Sequence, residues 1–210
     1  KWDGAPAVFC GIDPSDGQFF VAKKGIFNKN PKVYKSHADI DADASGDLAV
    51  KLKVAYDELS KLNIKGVVQG DIMFTSDSLK SETIDGEKFV VFHPNTIAYA
   101  VPADSDLAKQ MKAAKIGVVF HTQYHGDSFE TMKASYGVSV DKFRKVRSVW
   151  AHSANLPSVK GAAMSAAETA EVTRALSRAG SIFNKIAGKT LRQLEAHPEL
   201  PGTIETFNNS

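Results

Sequence analysis

Residues 7–22, AVFCGIDPSDGQFFVA, carry the pattern that decides how the chain folds. Two short β-prone runs, AVFCGI and QFFVA, flank the segment DPSDG, which is dense in turn-forming residues. This pattern predicts a β-hairpin. The segment KWDG at residues 1–4 stands immediately before it. We therefore expect Lys1 and Asp3 to lie at the entrance to the first strand of a sheet.

Further strands and helices are predicted after the hairpin. Apolar residues at spacings of three and four predict an amphipathic helix over residues 47–62, and Ser105 is expected to cap a helix over residues 106–115. Short apolar runs predict strands at residues 64–74, 89–92, 96–101 and 116–124. We expect a surface loop over residues 23–46, a loop with an Asp-Gly turn over 75–88, and a short capped helix over 125–137, ending at Gly137.

Mixed helices and hairpin-like strands predict an α+β fold with an antiparallel sheet. The composition changes after Trp150. Ser165 and Glu168 form a capping box for a helix that is predicted to run to about Ala187 and to stop at Gly188. A second helix is predicted near residues 190–196, ending at Pro198. We therefore divide the chain into a domain over residues 1–150 and a helical appendage or insertion over residues 151–210.

Composition points to a folded protein without a membrane partner. The 210 residues are 43% hydrophobic and 24% charged, with a formal net charge of +2, which by itself indicates no polyanionic partner. No apolar run is long enough to span a membrane and no signal peptide opens the chain, so a cytoplasmic location is expected.

Cys10, the single cysteine, is predicted to be buried in a strand. The chain does not begin with Met, which suggests that an upstream segment is missing.

The pattern Lys-x-Asp-Gly followed at once by a β-hairpin resembles the first signature motif of covalent nucleotidyltransferases, namely DNA ligases, RNA ligases and mRNA capping enzymes. The resemblance covers residues 1–137, and the layout also looks like uncharacterised ligase-like proteins of large tailed phages. It implies an incomplete, adenylation-type nucleotidyltransferase domain that acts in the cytoplasm of a phage-infected bacterial cell. In that family the motif lysine attacks the α-phosphate of ATP or GTP and forms a lysyl-nucleotide.

The resemblance also implies a set of site residues. Lys1 would be the nucleophile, Asp71 after Gly70 would contact a metal ion or the ribose, and Tyr99 would stack on the purine, with Phe92 as the second choice. ATP and Mg²⁺ are the implied cofactors, and DNA or RNA ends are the implied partners. The remaining implied nucleotide contacts are Asp3, which could instead fix its loop, Gly4, and either Lys23 or Lys24.

Two later family motifs are not found in the chain. IGVV at residues 116–119 has Ile where the metal-binding Glu of Glu-Gly-x-Val belongs, and no Lys-x-Lys follows such a strand. Either the chain stops inside an insertion before these motifs, or they have been lost, and the chain alone is expected to be inactive. The alternative function is a non-catalytic phage protein that binds nucleotide or nucleic acid. DNA, RNA and capping substrates stay open, as do ATP against GTP and the oligomeric state.

A lysine-rich segment and a pair of histidines are two further patterns that resemble binding sites. The lysine-rich segment over residues 23–35 also contains Phe27 and Tyr34, as a nucleic-acid contact would. His121 and His125 have a spacing of four that suits metal binding on a helix, but they fall on a predicted strand and loop. A structural or surface role is therefore favoured for both histidines.

Overall fold

The computed structural model describes residues 2–28, 30–155, 163–186 and 188–196. The chain divides into two compact units, Lys1–Leu156 and Pro157–Ser210. Strands and helices are mixed in the first unit, whereas the described part of the second unit is helical. The α+β class and the C-terminal helices are thus confirmed. None of the described helices is long and apolar enough to cross a membrane.

The elements are numbered in chain order. The strands are β1 (Ala7–Ile12), β2 (Phe19–Ala22), β3 (Val67–Thr75), β4 (Lys80–Ile84), β5 (Glu87–Phe92), β6 (Tyr99–Pro102), β7 (Ile116–His125), β8 (Lys133–Tyr136) and β9 (Val149–Ser153). The helices are α1 (His37–Asp43), α2 (Gly46–Leu59), α3 (Asp106–Ala113), α4 (Ala166–Phe183) and α5 (Gly188–Glu195).

The main sheet has the order β2-β1-β3-β7-β8, and all these neighbours are antiparallel. β9 also pairs with β7, in parallel, along the first half of that strand. A smaller antiparallel sheet has the order β4-β5-β6. The antiparallel architecture expected from the sequence is confirmed, apart from the parallel strand β9.

The predicted hairpin of β1 and β2 is confirmed, and its turn is closed by Asp13. The Asp13 carboxylate accepts hydrogen bonds from the backbone N–H and the hydroxyl of Ser15, at 2.9 and 2.7 Å, and lies 2.7 Å from Lys35 Nζ. Asp13 is 3% exposed. Burial alone would raise its pKa, but the hydrogen bonds from Lys35 and Ser15 outweigh it, and the pKa of Asp13 is lowered.

Three predicted loops or helices have a different structure. The expected loop over residues 23–46 contains α1, because Ser36 accepts a hydrogen bond from Asp39 N at 3.2 Å and caps a helix there. The loop over 75–88 contains β4, which pairs with β5 across the predicted turn. The expected helix at 125–137 is wrong, since residues 133–136 form β8 beside β7. In each segment, pairing or capping by neighbouring residues decides the local structure.

The two faces of the main sheet differ in character. One face is apolar at Val68 and Ile72 of β3 and at Ile116, Val118 and Phe120 of β7 and packs against α2, with Cys10 fully buried there. The opposite face carries two separate apolar clusters, one around Trp150 and one around Phe20. Between these clusters lie four polar side chains: Gln69, Asp71, His121 and His152.

The second unit confirms the capping box ahead of its first helix. Ser165 Oγ accepts from Glu168 N at 3.3 Å, and Ser165 N donates to the Glu168 carboxylate at 2.7 Å. α4 ends at Phe183, short of the predicted end, and Gly188 begins α5 where it had been predicted to stop α4. Ala187 and Pro198 lie outside the described residues.

Candidate functional site

A cavity of about 670 Å³ opens beside the start of β1. The N-terminal segment, the end of β2, the start of α2 and the middle of β3 enclose it, and its volume is in the range of small-molecule pockets. Its lining consists of Gly4, Ala5, Pro6, Ala7, Lys23, Lys24, Leu48, Gln69 and Asp71. It therefore brings together predicted site residues from three separate parts of the sequence.

Position 4 has room only for glycine, because the backbone there lies against β3. A Cβ atom at this position would lie 2.5 Å from Asp71 Cβ and 2.9 Å from Met73 Sδ. The next residues hold the segment in place, because Ala5 N donates to Ile72 O and Ile72 N donates to Pro6 O, both at 3.0 Å. The backbone at Gly4 thus lies close to β3, the strand that carries Asp71.

Asp3 fixes the loop between β5 and β6. Its carboxylate accepts from Thr96 N at 2.7 Å, from Ile97 N at 2.8 Å and from Asn95 Nδ2 at 3.0 Å. Asp3 N in turn donates to the Tyr99 hydroxyl at 2.9 Å. This arrangement agrees with the interpretation of Asp3 as a residue that fixes a loop. Lys1, the predicted nucleophile, lies outside the described residues.

Tyr99 and Phe92 are packing residues of the apolar cluster around Trp150. Their rings are stacked on each other, 5.1 Å apart with an interplanar angle of 10°. Tyr99 is also stacked against Trp2, at 5.8 Å and 21°. Neither residue lines the cavity. Tyr99 is therefore already engaged with two aromatic rings, and the purine contact expected of Tyr99 or Phe92 stays a prediction.

Lys23 lines the cavity, but its ammonium group forms a salt bridge with Asp43, the last residue of α1. Lys23 Nζ lies 2.8 Å from the Asp43 carboxylate, which also binds Lys32 at 2.6 Å and the Tyr34 hydroxyl at 2.6 Å. These hydrogen bonds hold the pKa of Asp43 well below its usual range. The same pairing raises the pKa of Lys23. Asp43 therefore keeps Lys23 charged and neutralises part of the lysine-rich segment.

The rest of that segment is only partly available to a nucleic acid. Tyr34 is buried, and Lys35 is held by Asp13 and Asp16 at 2.7 and 2.6 Å. Lys24 differs, because it is exposed, lines the cavity, and forms no salt bridge with any residue that the structure describes. Lys24 is thus the better of the two predicted cationic contacts.

Asp71 presents a half-buried carboxylate to the cavity. Burial raises its pKa, the positive charges of His121 and Lys24 partly offset this, and the charge of Asp3 adds to it. His121 Nε2 lies 3.8 Å from Asp71 Oδ2. The sequence interpretation missed this neighbour, since it treated His121 only together with His125.

A β-bulge brings His121 to Asp71. Gln69 pairs with Thr122 and Gly70 pairs with Phe120, so His121 is one extra residue on β7. Bulges of this kind redirect a side chain and are common next to functional sites. Gly70 permits the close approach of the strands, because a Cβ there would lie 2.6 Å from Val119 O. No pattern in the sequence alone marks such a bulge.

Within the described ranges, no three His, Cys, Asp or Glu residues come together in a way that could hold a metal ion. Asp71 is the carboxylate of the cavity lining. Mg²⁺ is usually bound through one or two carboxylates together with substrate phosphates. Asp71 therefore fits a metal ion that arrives with a nucleotide, and does not fit a metal held by protein ligands alone.

Over its whole length, residues 1–210, the chain matches the model of a family of unknown function, DUF6267. No curated protein matches the chain, and no solved structure matches it either.

Proposed function

The chain belongs to DUF6267, and we propose that it is a polynucleotide ligase-like nucleotidyltransferase. It forms a lysyl-AMP intermediate from ATP and transfers the AMP to a 5′-phosphate of a nucleic acid. The observation that supports this most is the lining of the cavity by Gly4, Lys24 and Asp71. They come from the three segments whose order resembles the first three motifs of that enzyme family.

The cavity suits a nucleoside triphosphate in size and in charge. Its volume of about 670 Å³ can hold such a ligand. Lys24 offers a positive charge for the phosphates, while Lys23 is shared with Asp43. Asp71 would hold a magnesium ion together with the phosphates. When bound, that ion would neutralise negative charge on the triphosphate.

In the proposed reaction the nucleophile is the uncharged amine of Lys1. Its nitrogen forms a bond to the α-phosphorus while the bond from that phosphorus to the pyrophosphate oxygen breaks, and the amine loses its proton to solvent. The nucleic-acid 5′-phosphate then takes over the adenylyl group and releases the lysine. A lysine in water has a pKa of about 10.4, and a nearby positive charge, which Lys24 or a bound metal ion would supply, favours the uncharged amine.

A second function follows from the charges at the cavity. No Glu-Gly-x-Val strand followed by Lys-x-Lys is found in the chain, and Lys23 is already paired with Asp43. Lys24 is then the cation of the cavity lining that has no partner among the described residues. Such a site binds a phosphate-bearing ligand but provides little stabilisation of a transition state. The alternative is therefore a non-catalytic protein that binds nucleotide or nucleic acid.

Covalent labelling separates the two functions. The full-length gene product is incubated with α-³²P-labelled ATP or GTP and Mg²⁺, denatured, and examined for protein-bound label. The enzyme requires label from one nucleotide, loss of label in Lys1→Ala and Lys1→Arg, and unchanged labelling in the matched variant Lys112→Ala on α3. Retention of nucleotide binding without label in the folded protein would support the binding protein instead. Label that persists in Lys1→Ala would contradict the proposed nucleophile.

A further inference from the structure

Phe27 is an exposed aromatic residue beside the cavity. Its side chain follows Lys24 by three residues and is 40% exposed. The ring lies against Tyr124, with 4.7 Å between ring centroids and an angle of 38°, and against the edge of Phe9 at 5.8 Å. Two aromatic neighbours thus hold Phe27 in place while part of its ring faces solvent.

The ring pair formed by Phe27 and Tyr124 is connected directly to the cavity. The Tyr124 hydroxyl donates to Gln69 Oε1 at 2.8 Å, and Gln69 lines the cavity next to Asp71 on the same face of β3. Lys24, which is exposed, lines the same cavity. The exposed ring of Phe27 is therefore connected, through Tyr124 and Gln69, to the cavity that this cation lines.

We propose that the Phe27–Tyr124 ring pair binds an unpaired nucleobase, and that the substrate of the cavity is consequently a single-stranded nucleic-acid end. The second part rests on the proposed function. Proteins bind single strands by combining aromatic rings, on which bases stack, with cations that follow the backbone. Phe27 supplies the ring and Lys24 the cation. A base inside a duplex is stacked on both sides and offers no free face to Phe27.

The charges around the cavity and the form of its surface favour a single strand over a duplex. The lysines that would make a broad polyanion surface are held by Asp43, Asp13 and Asp16. A duplex, which is bound largely through many phosphate contacts, would find few free cations here. One stacking position with one adjacent cation suits a flexible strand. Sequence selectivity is not expected, because every base has an aromatic face.

The test measures binding without any catalytic step. Fluorescence anisotropy gives the affinity for a labelled 5′-phosphorylated single strand, as DNA and as RNA, and for the same DNA annealed inside a longer duplex, where its 5′ end lies at a nick and its terminal base stays stacked. The variants are Phe27→Ala, Phe27→Trp, and Ile84→Ala on β4, whose side chain is 41% exposed and serves as a matched loss of exposed apolar surface. Circular dichroism checks that each variant is folded.

We expect Phe27→Ala to weaken binding of both single strands about fivefold or more, as the loss of one stacked base predicts. Phe27→Trp should retain wild-type affinity and Ile84→Ala should leave it unchanged. Equal weakening for the duplex, no change in Phe27→Ala, or no binding of single strands by the wild type would each overturn the inference. Labelling of Lys1 is measured separately, so a protein that binds single strands through Phe27 but takes no label refutes only the proposed enzyme.

Discussion

At the scale of single residues, Gly4 leaves no room for a side chain. A methyl group there would overlap the side chain of Asp71. We expect Gly4→Ala to lower the free energy of unfolding by about 1–3 kcal/mol, as overpacking does, and to weaken nucleotide binding because Asp71 must move. Urea denaturation measures the first effect. The control Gly180→Ala in α4 adds the same methyl group where no atom lies within 4 Å, and should not destabilise the protein. Equal stability of wild type and Gly4→Ala would contradict the packing of the segment on β3.

Asp71 provides a prediction that depends on pH. Burial raises its pKa, so the ionised carboxylate is disfavoured in the folded state. The cost is present at neutral pH and disappears as the pH falls through the folded-state pKa. We therefore expect Asp71→Asn to have a higher Tm than the wild type at neutral pH, with a difference that shrinks on acidification to about pH 4. Thermal melts across this range measure it. A lower Tm for Asp71→Asn at neutral pH would mean that the attraction of His121 and Lys24 dominates.

At the scale of elements, the turn between β4 and β5 allows the cost of backbone conformation to be measured separately from side-chain packing. Asp85 and Gly86 both have positive φ, 51° and 85°, as a two-residue type I′ hairpin requires. A Cβ at Gly86 would meet no atom within 4 Å. Gly86→Ala should therefore cost about 1–2 kcal/mol through the backbone alone, measured by urea denaturation. Asp85→Asn, which tolerates the same conformation, should change stability by less than about 0.5 kcal/mol. Similar stability of Gly86→Ala and wild type would show that the small sheet does not depend on this turn.

Elements with a strong local signal could be predicted from the sequence. The β1–β2 hairpin has its turn residues in order, α2 has its apolar spacing, and α3 has the Ser105 cap. β8 could not be predicted, because its four exposed residues form a strand only through pairing with β7. The bulge at His121 has the same origin, since it is defined by the register of two strands that are far apart in the sequence.

At the scale of the whole molecule, four residues that the sequence singled out lie along one cavity, and tertiary contacts determine what their side chains can do. They are Gly4, Lys23, Lys24 and Asp71. The salt bridge of Lys23 could not be foreseen, because it depends on Asp43 in α1, a helix within a polar segment. The packing of Tyr99 could not be foreseen for a similar reason, since Trp2 and Phe92 meet it only in the folded protein.

Because Cys10 is buried, its reaction with a thiol reagent can report local opening of the main sheet. The thiol has no exposed surface, and burial raises its pKa well above the ordinary value. It lies in β1, whose first residue lines the cavity. A thiol reagent can react only when the main sheet separates around β1, so the reaction rate measures that opening. Any compound that binds the cavity should slow the reaction, and libraries of nucleotides and oligonucleotides can be screened in this way without an activity assay.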